Sequence, residues 1–285
     1  MRLAGLQKLT LLDYPGEVAC TVFTRGCNLR CPFCQNPELV LPELFCEGGD
    51  LPEEEFFEFL DRRKGRLSAV AVTGGEPTIH QDLPLFLSRI RERGYLVKLD
   101  TNGLNPEMLS EILNAKLADY VAMDVKNSPG KYAMTCGIEE PDTVRKCESE
   151  GRSSFDYGIG IRTDIVKNKI WSTEENAGAE ESASGLWERA EKSISLLKES
   201  SVKGEFRTTV AAGLHTVEDM REIAGYLAGP GPWYLQQFRE GVEGGSLVGT
   251  FNRSGLHLAS PSWKELDGMK KAVQDLVPNT SLRGI

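Results

Sequence analysis

Short apolar, β-rich runs alternate along this chain with longer stretches whose apolar residues recur at helical spacing. Val18 to Thr24 reads as the first strand. Pro52 to Arg63 then carries Phe56, Phe57, Phe59 and Leu60 on one helical face, and Glu53 to Glu55 in its first turn suit the positive end of a helix. Ser68 to Thr73, Leu96 to Thr101, Tyr120 to Val125, Glu205 to Ala211 and Trp233 to Phe238 read as further strands. Helices are expected over Asp82 to Arg93, Pro106 to Asn114, Trp187 to Glu199 and Val217 to Leu227. Strand followed by helix, repeated, predicts an α/β fold with a parallel sheet and helices outside it. Six such units are too few for a complete eight-stranded barrel of roughly 250 residues, so the expected form is an open, partial barrel.

One 1–285 domain is expected, with two irregular regions. Between Asn127 and Gly185 the chain is rich in Ser, Glu and Gly, which predicts a loop-rich stretch with a hairpin over Phe155 to Ile170. Gly241 to Gly255 is glycine-rich, and 256–285 is expected to close the domain with a helix over Pro261 to Val277.

Composition narrows the function classes. The 285 residues are 40% hydrophobic and 26% charged, enough to bury a substantial core. The start of the chain lacks the apolar segment of a signal peptide and no run approaches a membrane span, so a cytoplasmic protein with no membrane partner is expected. Seven cysteines in such a chain suit metal ligands and reduced core thiols better than a disulfide framework. A net charge of -9 argues against a nucleic-acid partner, because phosphate backbones are held by clustered Lys and Arg.

The most informative chemistry is Cys27-Asn-Leu-Arg-Cys31-Pro-Phe-Cys34, directly after the first strand. Three thiolates this close can hold three corners of a metal cluster and leave one metal open to a second ligand. A structural zinc site, a disulfide pair or plain buried thiols are the other readings. Closed zinc sites want four ligands, usually as two CxxC knuckles, and no second knuckle follows.

Ligands of parallel βα folds sit at the C-terminal ends of the strands, and each remaining polar motif falls at one. Thr73-Gly74-Gly75-Glu76-Pro77 lets the backbone approach a ligand closely and offers a carboxylate and carbonyls to an ammonium group. Asp100-Thr101-Asn102-Gly103 and Met123-Asp124-Val125-Lys126 end apolar strands in polar groups that need partners. Alternation sets Arg207 on the face opposite Phe206 and Thr208, where its planar fork could hold a carboxylate.

The CxxxCxxC spacing, with Phe33 before the third cysteine, resembles the signature of radical S-adenosylmethionine (SAM) enzymes. The flank Thr24 to Pro37 is similar to that of the activating enzymes of glycyl radical proteins, particularly anaerobic ribonucleoside-triphosphate reductase activating proteins, and supporting matches run from Leu3 to Arg239. The resemblance implies a partial (β/α)6 TIM-like barrel, with 139–184 as an insertion, and one [4Fe-4S] cluster on Cys27, Cys31 and Cys34. It implies SAM contacts from Phe33, Gly74, Gly75, Glu76, Asp100, Thr101, Asn102, Asp124, Lys126 and Arg207, with a monovalent cation near Asp100 and Asp124. It implies no catalytic side chain beyond cluster and SAM. The partners it implies are a glycyl radical enzyme, on which a 5′-deoxyadenosyl radical generates the glycyl radical, and a flavodoxin- or ferredoxin-like electron donor. The alternatives are a radical SAM enzyme acting on a small molecule or peptide, and a noncatalytic iron-sulfur electron carrier.

Phe238 and Arg239 stand where some relatives have a Tyr-His pair, so neither is given an adenine contact. Cys20, Cys46, Cys136 and Cys147 show no ligand spacing, and His80, His215 and His257 are isolated in sequence; none is expected at the site.

Overall fold

A computed structural model describes residues 1–45, 49–138, 183–239 and 258–284. Cys46, Cys147, His257, the 155–170 hairpin, the 241–255 stretch and all but the last two residues of the expected insertion lie outside that set.

Among the described residues, eight strands form one sheet in chain order: β1 (Leu3–Thr10), β2 (Ala19–Thr24), β3 (Ala69–Gly74), β4 (Leu96–Thr101), β5 (Tyr120–Asp124), β6 (Lys203–Val210), β7 (Trp233–Gln237) and β8 (Thr280–Arg283). β1 runs antiparallel to β2, and every later pair is parallel. The order begins at β1 and ends at β8, so the barrel is open. The six expected strands are all present, with ends displaced by no more than two residues. β1 and β8 are additions at the two edges. Within β1, Gly5 to Leu9 shows no alternation of buried and exposed positions, and β8 has four residues; neither carries a strand pattern that sequence could reveal.

Helices cover the outer face: α1 (Pro37–Val40), α2 (Glu53–Arg62), α3 (Leu83–Glu92), α4 (Pro106–Asn114), α5 (Tyr132–Thr135), α6 (Ala183–Glu199), α7 (Val217–Leu227) and α8 (Trp263–Val273). The four expected apolar residues of α2 are all buried; Phe56 and Phe57 lie 5.3 Å apart between ring centroids, and each lies 5.4 Å from Phe86 of α3. Burying side chains of this size stabilises by about 1.5–3 kcal/mol each relative to exposure. A Thr216–Asp219 capping box starts α7, and a Ser262–Glu265 box starts α8. Among the described residues, no helix is long and apolar enough to cross a membrane.

The two-residue period of the strands then sorts their side chains. Val70, Val72, Val97, Leu99, Val121, Met123, Val210 and Leu235 are wholly buried in the core. The alternate positions Thr73, Asp100, Asp124, Arg207, Thr209 and Gln236 line a cavity. A closed barrel fills its interior with branched apolar residues. Here the interior is polar, which marks it as a place for a ligand. Deeper inside, Glu205 accepts a bidentate pair from Arg283 at 2.9 and 3.3 Å and a hydrogen bond from Tyr120 at 2.8 Å. The Arg283 guanidinium lies 3.6 Å from the Tyr234 ring centroid, so one buried carboxylate ties β5 through β8 together.

Candidate active site

The cysteine loop leaves β2 through Arg25 and Gly26, whose positive φ of 92° suits glycine. It is held by its own polar groups: Arg30 donates to the carbonyls of Cys27 and Leu29 at 2.8 Å, and the Cys34 amide donates to the Cys31 carbonyl at 3.0 Å. The Leu29 amide points at the Cys27 sulfur at 3.4 Å, a bond that favours thiolate over thiol. All three cysteines line a cavity of about 410 Å³, the size of a small-molecule site.

The loops after β3 and β4 are tied to this loop. The Gly75 amide donates to Thr24 at 3.0 Å and the Glu76 amide to Gly26 at 2.8 Å. Glu76 is buried, and its carboxylate accepts from the Thr78 amide (3.1 Å), the Thr78 hydroxyl (2.5 Å), the Thr101 hydroxyl (2.7 Å) and the Asn102 amide (2.6 Å). Three of these donors share one carboxylate oxygen, and the Asn102 amide alone reaches the other. Glu76 thus fixes the loop after β4, and it lines the cavity, where its second oxygen and the loop carbonyls keep acceptor capacity for a ligand cation. Asn102 in turn donates to Asn28 at 2.8 Å, beside Cys27.

Charged residues meet on β4, β5 and β6. Arg207 donates from Nε to Asp124 at 2.8 Å and from a terminal nitrogen to Asp100 at 3.1 Å, while Lys126 pairs with the second Asp124 oxygen at 2.9 Å. Burial alone would raise the pKa of Asp124, but the Arg207 and Lys126 charges outweigh it and hold the carboxyl well below its ordinary range. Asp100 is lowered in the same way, with Arg207 and then Lys98 as the opposing charges. Burial would lower the pKa of Lys126, yet Asp124 and the nearby Cys31 raise it.

Burial pushes the Cys34 thiol up to about 11 and that of Cys27 higher still, where the Glu76 charge adds to the effect. Cys31 is shifted down, chiefly by a hydrogen bond with Cys136. Loading a metal centre must displace protons from Cys27 and Cys34.

The expected site residues come from five separate segments of the chain, yet Cys27, Cys31, Phe33, Cys34, Gly74, Gly75, Glu76, Asp100, Thr101, Asn102, Asp124, Lys126 and Arg207 all line one cavity. Three residues were not foreseen. Cys136 is buried against Cys31, 105 positions away, with no spacing to announce it. His215 accepts from the Ala211 amide at Nδ1 (3.1 Å), so Nε2 carries the proton and donates to the Lys126 carbonyl at 2.8 Å. Its ring also meets Phe33 edge-on at 6.2 Å. Lys98 is the third, ion-paired with Asp100.

Among the described residues, no three His, Cys, Asp or Glu side chains converge closely enough for a single metal ion, as a closed zinc site would need. The donor set fits a cluster instead: three cysteines line the cavity, no fourth cysteine among the described residues lines it, and one corner is left for a ligand there.

Fold and site together define a radical SAM enzyme. Residues 21–147 match the family described as the Radical SAM superfamily, so the chain carries a radical SAM domain there; a [4Fe-4S] cluster and SAM are the cofactors of that family. The SuiB protein of Streptococcus suis, solved with S-adenosylmethionine bound, shares the fold with a TM-score of 0.54 and 13% identity, over 92% of this chain and 49% of SuiB. Within the superfamily, similarity extends over the whole length to a Methanocaldococcus jannaschii protein provisionally named a glycyl-radical enzyme activating enzyme, 28% identical over 99% of this chain and 95% of that one. The pyruvate formate-lyase-activating enzyme of Clostridium pasteurianum is 30% identical over 60% of this chain and 66% of its own.

Proposed function

We propose that this enzyme generates a glycyl radical on a partner protein, with anaerobic ribonucleoside-triphosphate reductase as the first partner to test. The full-length similarity to a provisionally named activating enzyme supports the reaction class, and the flank Thr24 to Pro37 supports that partner. The observation carrying the reading is the convergence of the cysteine triad, the Gly74-Gly75-Glu76 loop and the Asp100, Asp124, Lys126 and Arg207 network on one cavity.

In this reading Cys27, Cys31 and Cys34 hold the cluster, which, when reduced by a flavodoxin- or ferredoxin-like donor, supplies the electron that cleaves SAM to methionine and a 5′-deoxyadenosyl radical. The other residues bind and orient. Carbonyls of the Gly74-Gly75-Glu76 loop accept from the SAM ammonium, and Glu76 holds that loop against Thr101 and Asn102. Lys126 and Arg207 face the methionyl carboxylate. Phe33 closes the cluster side of the cavity with an apolar ring that excludes water. No side chain acts as acid or base; the protein's contribution is alignment of the reacting groups. We also propose a single domain over 1–285 with an insertion at 139–184, and cytoplasmic residence, which suits the free cysteines among the described residues.

The test is anaerobic reconstitution followed by reductant and SAM, with 5′-deoxyadenosine measured for the wild type and Cys31→Ala, and electron paramagnetic resonance of the candidate reductase after mixing. Deoxyadenosine from the wild type alone and a glycyl radical on the reductase support the proposal. A loaded enzyme that cleaves SAM but leaves the partner without a radical removes that partner; no cleavage at all favours the electron-carrier reading.

A further inference from the structure

Lys98 is the least expected charge in the molecule. It sits mid-strand in Leu96-Val97-Lys98-Leu99, is 3% exposed, and shares the inner face of β4 with Asp100. Its register neighbours are Ala71 on β3 and Tyr120 on β5. A buried lysine opposes folding unless paired, and an apolar residue would serve a strand better.

Its pairing completes a charge set. One Asp100 oxygen accepts from Lys98 and the other from Arg207; one Asp124 oxygen accepts from Arg207 and the other from Lys126. All four carboxylate oxygens are turned to nitrogen cations. Three fixed positive charges stand against two negative ones. A monovalent metal ion needs carboxylate oxygens directed at it and a surrounding charge that is not already positive. Neither condition holds beside Asp100 and Asp124.

We infer that the Lys98 ammonium is a built-in cation that takes the place at Asp100 where the family resemblance implies a free monovalent ion. The surplus positive charge of the set then remains for an anion in the cavity, the methionyl carboxylate of SAM. The inference rests on the reading of this cavity as the SAM site. It makes Lys98 a positioning residue acting through Asp100 and Arg207.

Equilibrium SAM binding to the cluster-loaded enzyme, measured in sodium, potassium or choline chloride at equal ionic strength, tests it. The wild type is expected to bind equally, within about twofold, in all three, because its electrostatic partner is covalently present. Lys98→Met is expected to bind about tenfold more weakly in choline and to recover in sodium or potassium, roughly the value of one lost charge interaction. Lys98→Arg, which keeps the charge, should stay indifferent to the salt. A wild type that needs sodium or potassium overturns the inference, and so does a folded Lys98→Met with unchanged, salt-independent affinity. Thallium(I) soaked into crystals gives a second readout that needs no SAM. Anomalous density at Asp100 or Asp124 in the wild type overturns the inference, whereas density there only in Lys98→Met supports it. Absence of SAM binding in every salt would defeat the SAM reading, and thallium would still decide on Lys98.

Discussion

Replacing Gly75 with alanine should separate the two loops on which the site depends. A Cβ at Gly75 would lie 1.8 Å from the Gly26 carbonyl oxygen and 2.6 Å from its carbon. Gly75 does not have a positive φ, so the penalty is steric and does not arise from backbone strain. The atoms struck are backbone, and no rotamer change relieves them. The loops must part by about 1 Å before the contact becomes tolerable. Overpacking of this kind costs about 1–3 kcal/mol, and losing the Glu76 amide bond to Gly26 costs about 1 kcal/mol more. A total of about 2–4 kcal/mol corresponds to a Tm lower by about 5–10 °C in a domain of this size. Gly225→Ala is the matched control. It lies in α7 with nothing within 4 Å of the new methyl, and should stabilise by about 0.5–1 kcal/mol. Differential scanning fluorimetry of the apo-proteins compares the two, and iron content after reconstitution reports the cysteine loop. A Gly75→Ala protein that melts within about 1 °C of the wild type and loads full iron refutes the close approach.

Two further outcomes follow from the buried histidine and the fourth cysteine. Burial lowers the pKa of His215 below its ordinary value, and that of His80 likewise, so the unfolded chain binds more protons than the folded one once pH falls through about 6.5. Apo-protein stability should therefore decline from pH 7 toward pH 5, and His215→Gln should flatten part of that slope in melts run across pH; an unchanged slope removes His215 as a cause. Cys136→Ala should retain full iron on reconstitution, since Cys136 does not line the cavity, whereas alanine at Cys27, Cys31 or Cys34 should each lower it; iron loss in Cys136→Ala equal to that in Cys31→Ala would make it a ligand.

The legible parts of this protein are those in which one short segment carries the information. The cysteine loop, the Gly74-Gly75 turn and the strand-end aspartates announce themselves locally, and Arg207 follows from strand alternation. The illegible parts depend on neighbours far along the chain. In Leu96-Val97-Lys98-Leu99 a lysine between apolar residues reads as the solvent side of a strand; only the curl of the sheet turns that side inward. His215 looks isolated because its partner is the backbone of Lys126, 89 positions away, and backbone groups leave no mark in sequence. Glu76 was readable as a site residue and not as a loop anchor, since its four donors come from three residues on two loops. β1 and β8 are edge strands with one neighbour each, so little selects a strand-like pattern in them.

The ties among the site loops have a consequence for how damage spreads. Gly26 holds Glu76, Glu76 holds Asn102, Asn102 holds Asn28, and the Arg30 amide reaches the Cys136 carbonyl at 2.9 Å. Such a circuit behaves as a closed hoop: cutting it anywhere loosens the whole rim. Inactivating substitutions should therefore scatter over the sequence while mapping to a single ring in space, and two of them combined should do less than the sum of their separate effects, because the second cut meets a hoop already open.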